Sequence, residues 1–391
     1  MQNLMAVVVV ASCVLALPGS KAVVAQRAAA PPASVYDARH TGDVVRLEDR
    51  KHQVVVSILT SVGNMAYEMT VNGQNILRFP FATVDEFKTR PMGMHGIPLM
   101  APWANRLDEQ AFYANGKRYP FDMELGNVRG AIPMHGFMSQ TDRWKVVEVR
   151  QDGKAAWVTS RLEAFRQPSW MKQWPFAHTI EMTYRLADGE LEVRTAITNH
   201  SSEPMPVSIG YHPYFQLTDS NRDQWTITVP ARARWLLSAQ KVPTGETEPT
   251  DGFFTDYTGA LKDYNLDDVF SDLVRDERGR ATATVKGRSQ RIDVSTGPNY
   301  RSLVVYSPNP DNTGRGSQIP PAGPSPVTTQ PRPARAAPAN PRATPNFICF
   351  EPMAGITNAL NLAHKGVYRE LQSIAPGATW QESFWVRPSG F

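Results

Sequence analysis

Cysteine is almost missing from this chain. Of 391 residues only 2 are Cys, at positions 13 and 349, and Cys13 falls in an N-terminal apolar run expected to be removed. That leaves Cys349 alone, which excludes an intramolecular disulfide and a thiolate metal cage. Its surroundings, Phe347-Ile-Cys-Phe350, read as buried core. Histidine is sparse as well: the 8 His are scattered, without His-x-x-x-His spacing or acidic neighbours, so no metal is expected. There is no Gly-x-Ser-x-Gly elbow and no phosphate-cradling glycine loop, and nothing in the chain calls for a cofactor. Charge of one sign is not concentrated anywhere. The net charge is +4 with Lys and Arg dispersed, which argues against a nucleic-acid partner. Long apolar runs are lacking too; the longest, Met5 to Leu17, has 13 residues, too short for a membrane span. Long amphipathic helical patterns are also absent.

What is present begins with that N-terminal run. It is broken by Pro18-Gly-Ser20 and followed by Val23-Val-Ala25, small residues suited to signal peptidase, with Gln26 as the expected mature start. Residues 1–25 therefore read as a signal peptide, and the expected location is periplasmic or secreted. A lipoprotein signal ending at Cys13 is the weaker alternative, because Cys13 comes early and the apolar run continues past it. Residues 26–34 read as a linker. Residues 35–391 then read as strand after strand. Asn72-Gly73, Asn115-Gly116 and Asp188-Gly189 are two-residue hairpin signals between β-rich segments. Ala177 to Leu186 and Leu191 to Asn199 alternate apolar with polar residues, as half-buried strands do. Further strands are expected at Asn75 to Phe79, Val207 to Gly210, Phe347 to Phe350, Tyr368 to Ile374 and Thr379 to Val386. The fold class is all-β, a large antiparallel β-sandwich. One stretch breaks the pattern. Pro308 to Pro345 holds 11 of the 32 prolines and few apolar residues, and reads as a disordered insertion within the one domain.

The stretch Val207-Ser-Ile-Gly-Tyr-His-Pro-Tyr-Phe-Gln-Leu217 carries the first chemical signal. Pro213 pushes His212 into extended geometry, and Tyr211, Tyr214 and Phe215 crowd its ring. A histidine held that stiffly suits proton transfer aimed at one spot, although a core histidine bonded to a carbonyl has the same sequence. Glu351 ends the apolar run Phe347 to Phe350 and precedes Pro352, which reads as a carboxylate at a strand end. Asn105 and Arg106 in Pro102-Trp-Ala-Asn-Arg-Leu107, His135 in Met134-His-Gly136, and Asp267 in Asn265-Leu-Asp-Asp-Val-Phe270 complete the set.

Taken in this order, these motifs resemble the aldose 1-epimerase (galactose mutarotase) family. Tyr211-His-Pro-Tyr-Phe-Gln-Leu217 is similar to its His-Pro-Tyr-Phe-x-Leu signature. Val242-Pro-Thr-Gly-Glu246, Leu266-Asp-Asp-Val-Phe270 and Phe350-Glu-Pro352 are similar to its later segments. The resemblance covers the chain after the signal apart from the Pro-rich stretch. It departs at Phe137, where a second Gly is common, at Gln216, where Asn is common, and in the extra His95. Those departures lean toward the branch that includes hexose-6-phosphate epimerase-like proteins.

The resemblance implies a supersandwich of the galactose mutarotase type that interconverts α and β anomers of free aldohexoses without a cofactor. It implies Glu351 as base, His212 as acid, His135 assisting at the ring oxygen, and Asn105, Arg106, Asp267 and Tyr214 binding the sugar. Trp103, with Trp170 and Trp174, is a candidate for stacking on the sugar's apolar face, though core positions suit all three. The expected partner is a small-molecule sugar, and the protein a monomer or homodimer. Three other readings stay open: a hexose-6-phosphate 1-epimerase, a sugar-binding module without catalysis, and a glycoside hydrolase using Glu351 with Asp267.

Overall fold

The computed structural model describes residues 34–89, 93–125, 128–129, 131–309, 314–316 and 346–391. The expected signal peptide 1–25, all of the linker but Ser34, and most of the 308–345 insertion lie outside the described residues.

The three expected hairpins form. Each turn has both residues at positive φ: 49° and 79° at Asn72-Gly73, 51° and 71° at Asn115-Gly116, and 49° and 72° at Asp188-Gly189. This is the turn whose twist matches that of its flanking strands. The strands of the last hairpin, His178–Ala187 and Glu190–Asn199, alternate buried and more exposed residues over their whole length. They are the third and fourth strands of a nine-stranded sheet that also holds Thr379–Ser389 and Arg291–Thr296. A five-stranded meander runs from Tyr36–Thr41 to Gln74–Asn75. An eight-stranded sheet contains, in spatial order, Pro243–Pro249, Ala231–Leu237, Leu266–Leu273, Ser302–Ser307, Ile348–Met353, Gly210–Tyr211 and Leu99–Met100, with Tyr214–Phe215 also pairing with Ile348–Met353.

Every strand ladder among the described residues is antiparallel, as expected of an antiparallel sandwich. One apolar core joins the sheets. Val45 and Val56 from the meander, Ile180, Val193 and Phe384 from the nine-stranded sheet, and Phe270, Val305 and Phe350 from the eight-stranded sheet share it. The buried Tyr184 hydroxyl ties two sheets together by donating to the Asn64 carbonyl at 2.9 Å. Helices are short; Ala359–His364 is one of three six-residue α-helices among the described residues. None is long and apolar enough to cross a membrane.

Three local expectations change. The strand expected at Asn75 to Phe79 stops at Asn75, because the Asn75 side-chain oxygen accepts from the Met69 and Leu77 amides and turns the chain away. Of the strand expected at Tyr368 to Ile374 only Gln372–Ile374 forms, since the Tyr368 amide is drawn back to the Leu362 carbonyl. The segment Val207 to Gly210 is split, with Met205–Val207 and Gly210–Tyr211 belonging to different sheets.

Candidate active site

Strand register brings the first pair together. Gly210 lies opposite Met353 and Tyr214 opposite Cys349, so the intervening count puts His212 opposite Glu351. Pro213 interrupts the ladder at that point, having no N–H to give, and the His212 amide turns instead to the Pro98 carbonyl at 3.1 Å. The side chains meet: His212 Nε2 is 3.1 Å from Glu351 Oε1. Glu351 is not at a strand end. Its strand runs Ile348–Met353 through Pro352, flanked on both sides, and every residue of it is buried. Pro352 is tolerated because the neighbouring strand is broken beside it.

The same face of that sheet carries the rest. Asp267 is opposite Tyr306, and Tyr306 is opposite Cys349, so Asp267, Tyr306, Cys349 and Tyr214 form one row across four strands. Glu351 stands two residues further on, over a small apolar patch of Val269, Val304, Met353, Met100 and Ala104. The opposite face goes into the main core. Tyr214 stacks on His212 with the rings 4.6 Å apart and 6° from parallel, while Tyr306 meets it edge-on at 6.0 Å. These two rings fix the plane of the imidazole.

Two loops close the site from the side. The Leu107 amide donates to Pro133, the His135 amide to Asn105 and the Phe137 amide to Ala101, lacing residues 101–107 to 133–137. The lacing forces Asn105 and His135 into left-handed backbone, at φ of 55° and 62°. Such conformations cost of order 1–3 kcal/mol each and persist only where the surroundings over-determine them. Gly136 follows at φ 63°, and a Cβ there would lie 2.0 Å from the Ala101 carbonyl oxygen. The strained turn delivers the His135 ring edge-on to His212, with centroids 5.4 Å apart. Arg106 donates to Asp267 through both terminal nitrogens, at 3.3 and 2.9 Å, and to Asn105 Oδ1 at 3.0 Å. The two charges are buried and clamp each other.

Burial sets the protonation states. It pulls His212 down to about 3, overcoming the favourable charge of Asp267. It holds His135 far below the usual histidine range, with the charges of His212 and Arg106 acting the same way. It pushes Glu351 well up, and the Asp267 carboxylate adds to that. Both shifts favour the uncharged forms, a neutral imidazole beside a protonated carboxyl, so the pair carries one proton, and gaining a second or losing the first is costly. Glu351 Oε2, His212 Nδ1 and His135 Nδ1 are buried without a hydrogen-bond partner among the described residues. Unsatisfied buried polar atoms are costly, and here three of those among the described residues gather around one pair.

The aldose 1-epimerase family model matches residues 43–387. The chain belongs to the aldose 1-epimerase family. Its fold is that of solved relatives. A galactose mutarotase-like protein from Clostridium acetobutylicum superposes with a TM-score of 0.71 at 20% identity, covering 91% of this chain and 98% of that one. Galactose 1-epimerase from Lactobacillus acidophilus superposes with a TM-score of 0.64 at 14% identity, over 91% and 98% of the two chains. Among curated proteins, maltose epimerase from Levilactobacillus brevis is 29% identical over 119 residues, which is 27% of this chain and 34% of that protein.

The structure thus gathers Glu351, His212, His135, Arg106, Asn105, Asp267 and Tyr214 in one place. Trp103 is different. It is 2% exposed and packed between Phe121 and Phe137, so its ring is part of the core and not an open stacking face. Trp170 and Trp174 are buried likewise. Sequence reasoning passed over Tyr306 and Lys241. Tyr306 could have been found from strand alternation, and Lys241 directly precedes the Val242-Pro-Thr-Gly-Glu246 segment.

Proposed function

We propose that this family member is an aldose 1-epimerase acting on a free aldopyranose, with Glu351 and His212 as its acid–base pair. The observation that carries this is the buried 3.1 Å contact of Glu351 with His212, whose outer atoms have no partner. Interconverting anomers needs a proton taken from the O1 hydroxyl and one delivered to the ring oxygen O5. Burial favours the pair's proton on Glu351, so it first passes to His212 across the 3.1 Å contact. Glu351, then a carboxylate, takes the O1 proton; the O1 electron pair forms the C1=O1 bond, the C1–O5 bond breaks, and O5 takes the proton from His212. C1 then turns about C1–C2, and the same two groups run the steps in reverse on the other face. No net proton is consumed, which suits a pair that holds one proton between its members. Each group contributes roughly 10²–10⁴-fold.

His135, kept neutral by burial, offers a ring nitrogen near O5 without competing as a charge. Arg106 and Asp267, each fixed by the other, present oriented groups to the sugar hydroxyls. That clamp also weakens the glycosidase reading: Asp267 held by two guanidinium nitrogens is a poor proton donor, and the partner of Glu351 is an imidazole. The maltose epimerase relative makes a reducing disaccharide a second substrate to assay. Polarimetry of freshly dissolved α-glucose, α-galactose and α-maltose with purified protein tests the proposal; no acceleration of any of them rejects it. The proposal extends to export, on the strength of the apolar run and Val23-Val-Ala25. N-terminal sequencing should find Gln26 or a close neighbour first, and an intact Met1 in the cytosol rejects that part.

A further inference from the structure

Among the described residues, Lys241 is the one buried cation around the site that neither the acid–base pair nor the sugar clamp uses. It lies in the loop between Ala231–Leu237 and Pro243–Pro249, which the pairing of Leu237 with Pro243 closes. Arg234 lies opposite Phe270, and continuing that register sets Leu237 opposite Asp267, so the loop caps the sheet at the Asp267 end of the site. The loop is tight. The Lys241 amide donates to the Ser238 carbonyl, the Ser238 amide to the Val242 carbonyl, and the Ser238 hydroxyl accepts from the Gln240 and Val242 amides. It holds Lys241 at φ 62°, a left-handed conformation that a non-glycine residue keeps only when constrained. The result is a lysine 6% exposed, a rare place for that residue type without a partner.

The carboxylates around it are already paired with other cations. Asp267 is taken by both terminal nitrogens of Arg106. Asp268, on the other face of the strand, is taken by Arg234, which also pairs with Glu248. Lys241 makes no hydrogen bond or ion pair among the described residues, although it stands within the fields of Arg106, Asp267, Asp268 and Arg234. Partial burial pulls its ammonium below the ordinary lysine value, with the carboxylates of Asp267 and Asp268 opposing the shift. Arg106 and Arg234 are each paired with carboxylates, and Lys241 stands beside them with none of its own among the described residues.

We infer that Lys241 is a specificity residue that receives a single negative charge on the substrate, so that the preferred ligand is an aldose bearing a carboxylate, a hexuronic acid. This rests on the aldose 1-epimerase reading of the same site. A carboxylate is favoured over a phosphate by count: one free ammonium matches a monoanion, whereas a dianion calls for several free donors or a bidentate guanidinium, and the Arg106 fork is already occupied.

The test uses calorimetric binding together with mutarotation, for glucuronate, glucose and glucose 6-phosphate, on the parent, Lys241→Met and Lys241→Arg, with thermal melts for each. The parent is expected to bind glucuronate about ten- to a hundredfold more tightly than glucose. Lys241→Met should erase that ratio, and Lys241→Arg should retain most of it. Equal affinities in the parent, or a preference that survives in folded Lys241→Met, overturn the inference. A preference for glucose 6-phosphate over glucuronate overturns the monoanion assignment. The glucuronate preference without turnover of any sugar upholds Lys241 and rejects the catalytic reading instead.

Discussion

The hairpin His178–Ala187 with Glu190–Asn199 and the strand Ile348–Met353 are both runs of antiparallel ladder, yet they obey different rules. In the hairpin, burial alternates residue by residue, an Asp-Gly turn sets the register, and ten consecutive residue pairs line up without a bulge. In the strand, all six residues are buried, a proline stands inside it, and its neighbour is broken at His212-Pro213. The hairpin keeps one face dry and one wet. The strand keeps one face in the core and puts the other under the buried polar side chains of His212, Asp267 and Arg106. Beside the strand, Glu351 Oε2, His212 Nδ1 and His135 Nδ1 are buried with no partner among the described residues, and in the proposed function a ligand completes them.

The comparison predicts that damage to the two regions separates rate from stability. Glu351→Gln keeps size and removes the proton acceptor; His212→Asn removes the titrating ring. Each should lower kcat by roughly 10²–10⁴ with KM within a few-fold, while melts stay near the parent. A next effect falls on the clamp: Arg106→Ala strands a buried Asp267 charge and should cost about 3–5 kcal/mol of stability as well as raising KM. Chemical denaturation together with kinetics checks both parts, and a KM change without destabilisation contradicts the buried clamp. In the hairpin, Val193→Ala opens a cavity in the shared core and should cost about 2–4 kcal/mol, with kcat per folded molecule unchanged.

The smallest expected effect is a pH dependence that does not involve the site. His178 is buried in the hairpin, its Nδ1 2.7 Å from the Phe176 carbonyl, and burial pulls it down to about 4. A histidine whose folded value lies below its unfolded one binds fewer protons when folded. Its stabilisation is full above the ordinary value of about 6.5 and is lost as pH falls toward 4, at most about 3 kcal/mol over that window. His212 acts in the same direction, while Glu351, held above its ordinary value, opposes it as pH rises. His178→Gln should flatten the acid side of the stability curve without moving the pH–rate profile. A changed rate profile in that variant would show that the two regions are coupled.

Much of the fold was legible because its signals are local. Asn-Gly and Asp-Gly turns fix their hairpins with two residues, and alternation over ten residues has one reading. The candidate site was legible mostly through its motifs. Nothing local says that Arg106 and Asp267 meet, since they lie 161 residues apart. The position of Glu351 was misread because Pro352 looks like a strand terminator, and only the broken neighbour makes it tolerable. Trp103 could not be told from a stacking platform, because a buried ring and a sugar-facing ring have the same sequence. The left-handed turns at Asn105, His135 and Lys241 were hidden for a similar reason: their strain is imposed by distant segments, not by the residues themselves.

The central claim is that Glu351 and His212 work as one proton-sharing pair. A double-mutant cycle on mutarotation measures this directly, with parent, Glu351→Gln, His212→Asn and the double variant assayed on one sugar and their melts compared. Because an acid without its base cannot open the ring, the folded double variant should turn over within a few-fold of the slower single variant. Losses that multiply in the double variant, or a folded Glu351→Gln protein that keeps near-parent mutarotation, would contradict the pair.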